Sequence, residues 1–213
     1  MLGFLMVVTV LAGGFDARPA HSQPASAQPS DVRILTVRAV ADEMYRAQPG
    51  WEAMLRRTIQ TVSDIYERQF QIRLVVRDVV PWTIGPSVPL ARILARVGTE
   101  VAIGPADVLV LFAAERCQGL RYGVAYLFGR HSMVQTGCID TAVLRNTTPE
   151  GVLSHELAHL FGGFHPAAGR SDTVMVGGPA DRFDDQTTRV IRLMRGFDFT
   201  RGVLGLDPET RRA

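Results

Sequence analysis

The chain has 213 residues, 46% of them hydrophobic and 21% charged, and a formal net charge of +2. This composition excludes a disordered or collagen-like chain, and the near-zero charge excludes a basic field built for nucleic acid. Two cysteines exclude both a disulfide scaffold and a four-thiolate zinc module.

Residues 1–12, MLGFLMVVTVLA, are an apolar run of the length of a signal-peptide core. A bilayer span needs about 20 such residues, so stable membrane insertion is not expected. Residues 16–30 are rich in Pro, Ala, Ser and Gln, with small-x-small cleavage sites at Ala20-His21-Ser22 and Ala25-Ser26-Ala27. No basic residue precedes Arg18, so the usual positive start is missing. We expect 1–27 to be signal peptide and linker, and 28–213 a single domain exported to the periplasm or beyond.

Residues 31–40 alternate apolar and polar side chains and predict a strand. Pro49-Gly50 punctuates; 51–68 then places Met54, Leu55, Ile59, Val62, Ile65 and Tyr66 at helical spacing. A second strand is expected at 71–80, a loop at 81–89 and a short helix at 90–97. The unbroken apolar run at 107–112 predicts a central strand buried on both faces. Strands follow at 123–128 and 133–135. Thr148-Pro149-Glu150 reads as a helix start: a hydroxyl cap, a proline in the first turn, and an acid near the positive end of the dipole. That helix is expected to run to about Phe161 and stop at Gly162. A last helix is expected at 186–194.

Residues 155–165 read HELAHLFGGFH, and hold three of the five histidines. His155 and His159 are four apart, so both imidazoles leave one helical face about one turn apart. Two nitrogens so placed reach one ion at about 2.0–2.1 Å. In a continuing helix His165 would lie about 15 Å along the axis from His155. Gly162 and Gly163 remove that obstacle, because glycine accepts a positive φ and turns the chain back. Three neutral imidazoles with one position left for water describe a catalytic rather than a structural zinc site. Glu156 lies beside the first ligand, placed to act as a general base. His21 and His131 carry no such pattern; His21 falls in the linker and His131 in an expected loop.

H-E-x-x-H-x-x-G-x-x-H resembles the zinc signature of the metzincin metalloendopeptidases. Ser171-Asp172-Thr173-Val174-Met175 resembles the Met-turn of that clan, with Met175 beneath the metal. Gly123-Val124-Ala125-Tyr126 resembles the edge strand that metzincins pair with an extended substrate. The stretch 107–138 is similar to the reprolysin, or adamalysin-like, branch. Pro166 stands where adamalysins have Asp and is closer to serralysins, yet Val176-Gly177-Gly178 lacks the serralysin tyrosine ligand, so the branch stays open.

The resemblance implies an α/β fold: a twisted, mostly parallel sheet with an antiparallel edge strand, backing helices, a zinc helix and a small C-terminal subdomain. It implies one Zn2+, a peptide or protein substrate, a metal-activated water and Glu156 as base. It also implies that Val176 and Gly177 line the pocket for the side chain after the cut. Cys117 and Cys138 bracket the substrate strand, and export makes a disulfide between them the expectation. Asp181, Asp184 and Asp185 suit calcium, but read more simply as the N-terminal charge of the last helix. Two alternatives stand beside the peptidase: a zinc hydrolase of a non-peptide bond, and a non-catalytic domain stabilised by zinc. Glu156 argues against the last, since structural zinc needs no adjacent base. Nothing in the sequence indicates the oligomeric state.

Overall fold

The computed structural model describes residues 32–85, 88, 90–114, 122–138, 147–166 and 172–202. The described strands form one five-stranded sheet. They are β1 (Arg33–Ala41), β2 (Ile72–Pro81), β3 (Val108–Ala113), β4 (Gly123–Ala125) and β5 (His131–Gln135), ordered β2-β1-β3-β5-β4. All neighbours run parallel except β4, which lies antiparallel to β5 at one edge. Around the sheet lie α1 (Glu43–Arg46), α2 (Trp51–Phe70), α3 (Leu90–Glu100), α4 (Pro149–Leu160) and α5 (Asp185–Leu193).

β3 is central and all six of its residues are buried. Its side chains alternate between two cores, as the pleat requires. Val108, Val110 and Phe112 join the larger core with α2 and α4, whereas Leu109, Leu111 and Ala113 join the smaller one under α3. α2 packs on the sheet through Leu55, Ile59, Val62, Tyr66 and Phe70, a helical stripe.

Several boundaries differ from the sequence expectation. β4 ends at Ala125 instead of continuing to 128, because the chain turns: the Gly129 amide donates to the Tyr126 carbonyl at 2.8 Å. Tyr126 is therefore just past the edge strand. His131 opens β5 instead of sitting in a loop, and its ring lies against Gly98 of α3. α3 continues to Glu100, whose carboxylate accepts from Arg96 at 2.9 Å and from the Trp82 indole at 3.0 Å. No helix among the described residues is long and apolar enough to cross a membrane.

Candidate metal centre and cleft

α4 begins as its sequence dictates. Thr148 is extended and its hydroxyl accepts from the Gly151 amide at 3.0 Å, with Pro149 in the first turn. Val152, Leu153, Leu157, Ala158 and Leu160 are buried, so the helix runs through the interior. Polar ties fix its height. The buried Tyr66 hydroxyl donates to the Ser154 carbonyl at 2.8 Å, and the Ser154 hydroxyl donates to the Ala180 carbonyl at 2.7 Å.

The helix stops at Phe161. Gly162 takes φ +88°, and the Gly162 and Gly163 amides donate back to the carbonyls of His159 and Ala158 at 2.9 and 2.8 Å. A side chain at Gly162 would also penetrate the ring of Phe128, so the glycine supplies both the turn and the space. The chain folds back and carries His165 to the other two rings.

Nε2 of His155 lies 3.0 Å from Nε2 of His159 and 3.0 Å from Nε2 of His165. Nδ1 of His155 faces the Val174 carbonyl at 2.9 Å, and Nδ1 of His159 faces the Gly163 carbonyl at 2.7 Å. A carbonyl only accepts, so these partners assign the ring proton to Nδ1. Burial lowers the imidazolium pKa of both, that of His155 to about 4, so both rings are neutral near pH 7. Their Nε2 atoms then present lone pairs to one another, an arrangement that repels until a cation stands between them. Zinc at about 2.0–2.1 Å with tetrahedral angles would space two nitrogens roughly 3.3 Å apart. The donor set therefore suits zinc, and the two carbonyls orient the ligand rings from behind.

Glu156 is 5% exposed, and burial pushes its carboxyl up to about 8. A divalent cation nearby acts against that burial and favours the carboxylate. Glu156 and the three histidines line a cleft of about 630 Å³. Gly123, Val124 and Ala125 of β4 line it as well, as do residues 174–178. Tyr126 is not among the lining residues. Met175 lines the cleft and is buried, in a 3-10 turn Val174–Val176 that Gly177 ends at φ +84°. Glu156 is the only acidic side chain among the described lining residues.

Sequence reasoning missed three groups here. Val152, three residues before His155, lines the cleft, and its helical spacing was the available signal. Tyr122, Thr147 and Gly151 line it too, with no motif to mark them. The carbonyls of Val174 and Gly163 carry no side-chain signature at all. Cys117 lies outside the described residues, so the pairing with Cys138 does too. Asp184 uses its carboxylate to cap α5, accepting from the Thr187 amide and hydroxyl at 2.8 Å each; Asp185 falls in the first turn.

A reprolysin profile, described as metallo-peptidase family M12, matches residues 31–190. No curated protein matches the sequence. Among solved structures, the archaemetzincin from Methanopyrus kandleri is similar at TM-score 0.57 and 16% identity, over 77% of this chain and 96% of that one. A chain in a chaperone–substrate complex is similar at TM-score 0.57 and 12% identity; the match covers 81% of this chain but only 35% of that one. At these identities the likeness is one of fold, and that fold is the one the metzincin resemblance implied. The profile spans most of the chain, the zinc helix included, and on that ground the chain belongs to metallo-peptidase family M12 and is a zinc-dependent metalloendopeptidase.

Proposed function

We propose that this metallopeptidase is exported, that His155, His159 and His165 hold its zinc, and that Glu156 is the general base for peptide hydrolysis. The observation that carries the reading is the meeting of three Nε2 atoms, two of them with carbonyl-fixed tautomers, beside a buried carboxylate in one cleft. Bound zinc supplies a Lewis acid that polarises the scissile carbonyl and makes water acidic near neutral pH. Glu156 takes one proton from the attacking water and delivers it to the leaving amine as the carbon–nitrogen bond breaks. The hydroxyl stays on the carbonyl carbon, so one water is consumed per bond cut.

The extended substrate lies along Gly123–Ala125 and exchanges main-chain hydrogen bonds with this edge of the described sheet. Val176 and Gly177, which line the same cleft, form the pocket for the side chain after the cut. The apolar run at 1–12 supports export, and export supports a Cys117–Cys138 disulfide closing the segment that contains β4 and β5. Two free thiols in the mature exported chain would remove that disulfide from the proposal.

The test is Glu156→Gln, which keeps size and removes the base. The variant should retain one equivalent of zinc and lose about 10²–10⁴-fold in kcat on an unfolded protein substrate. Wild-type turnover with zinc still bound excludes Glu156 as the base.

A further inference from the structure

Gly123 opens β4, opposite Val134 of β5, within a regular antiparallel ladder. Its φ is not in the left-handed region, so the backbone does not demand glycine there. The side-chain direction is set by its neighbours. Val124 packs with the core under α3 and Ala125 with the core that contains α4. By the period of two, the bare face of Gly123 points toward α4.

What it meets there is Glu156. A Cβ built on Gly123 would stand 2.8 Å from both Cγ and Cδ of Glu156, and closer still to Oε1. The backbones on either side are held: α4 by Tyr66 and Ser154, β4 by its ladder with β5. The soft element between them is the Glu156 side chain. We propose that Gly123 is a positioning residue, whose missing side chain lets the edge strand lie directly against the Glu156 carboxylate and so fixes where that carboxylate stands. The inference rests on the reading of Glu156 as the base. It adds that one residue both presents the substrate edge and sets the place of the proton acceptor.

The consequence is selective. Main-chain donors and acceptors lie in the plane of the sheet, whereas Cβ stands perpendicular to it. An added methyl therefore moves the carboxylate without blocking the strand's hydrogen bonds to substrate. Displacing a reacting group by about 1 Å costs up to about 10²-fold in rate.

The experiment is a double-mutant cycle in the zinc-loaded full chain, assayed by cleavage of an unfolded protein substrate. Gly123→Ala should keep one equivalent of zinc, keep KM within about twofold, and lower kcat by about 10- to 100-fold. Glu156→Asp withdraws the carboxylate by one methylene; in that background Gly123→Ala should cost less than about twofold. Wild-type kcat in Gly123→Ala, loss of zinc, or the same fold-loss in both backgrounds overturns the proposal. Where Glu156→Asp turns over too slowly to measure, the crystal structure of Gly123→Ala decides. A displaced carboxylate under an unmoved β4 is expected; an unmoved carboxylate under a lifted β4 overturns the assignment. An inactive Glu156→Gln together with a fully active Gly123→Ala sinks this inference alone, whereas a fully active Glu156→Gln sinks the reading beneath it.

Discussion

His155 holds two requirements together. Its ring is buried enough to stay neutral, yet its Nε2 must face the cleft. The Val174 carbonyl reconciles them by accepting a hydrogen bond from Nδ1–H, which leaves the lone pair on Nε2, facing the cleft. The helix that carries the ring is fixed in turn by Tyr66, whose hydroxyl reaches the Ser154 carbonyl inside the core. Tyr66→Phe should destabilise the protein by about 1 kcal/mol, read as a lower urea midpoint at unchanged m-value. An unchanged midpoint would mean that packing alone sets the helix height.

α4 and β4 both line the cleft, and they are joined at both ends. At one end Gly123 meets Glu156. At the other Phe128, just past β4, donates its amide to the His159 carbonyl at 3.2 Å and presses its ring into the space left by Gly162. Phe128 does this at φ +55°, a left-handed conformation that is strained for a bulky residue. Phe128→Ala should lose about 2 kcal/mol of stability and weaken zinc retention against a chelator, because the turn that carries His165 loses its support. Phe128→Gly should be no less stable than Phe128→Ala, since glycine adopts this φ without strain. A markedly less stable glycine variant would show that the left-handed backbone carries no strain. The helix itself was legible: Thr148, Pro149, the paired histidines and Gly162 mark its cap, face and stop. The strand was less so; its length was overread to 128 because apolar residues continue through a turn that Gly129 closes.

At the scale of the whole molecule, metal and fold are coupled. The three histidines meet only when α4 and the turn after it are in place, so zinc held there binds the native state. At free zinc about 1,000-fold above Kd, binding adds about 4 kcal/mol. Chelation should then lower Tm by about 10 °C, at about 2–4 °C per kcal/mol for a domain of this size. Glu156→Gln should show the same drop, since Glu156 is not among the clustered ligand atoms. Equal Tm with and without chelator would mean that the histidines hold no metal in the native protein.

Local chemistry was written in the sequence. Spacing of four residues puts two imidazoles on one helical face, and an unbroken apolar run makes a doubly covered strand, because both follow from backbone periodicity alone. A mostly parallel sheet with an antiparallel edge strand was implied by family likeness, whereas the order β2-β1-β3-β5-β4 came only with the structure. What only the tertiary structure decided are contacts between segments distant along the chain. Val174 turns its carbonyl to His155, Phe128 fills the space beside Gly162, and Gly123 leaves room for Glu156. A carbonyl and a missing side chain have no periodicity and no characteristic residue type. They acquire a role only when packing brings a second element against them.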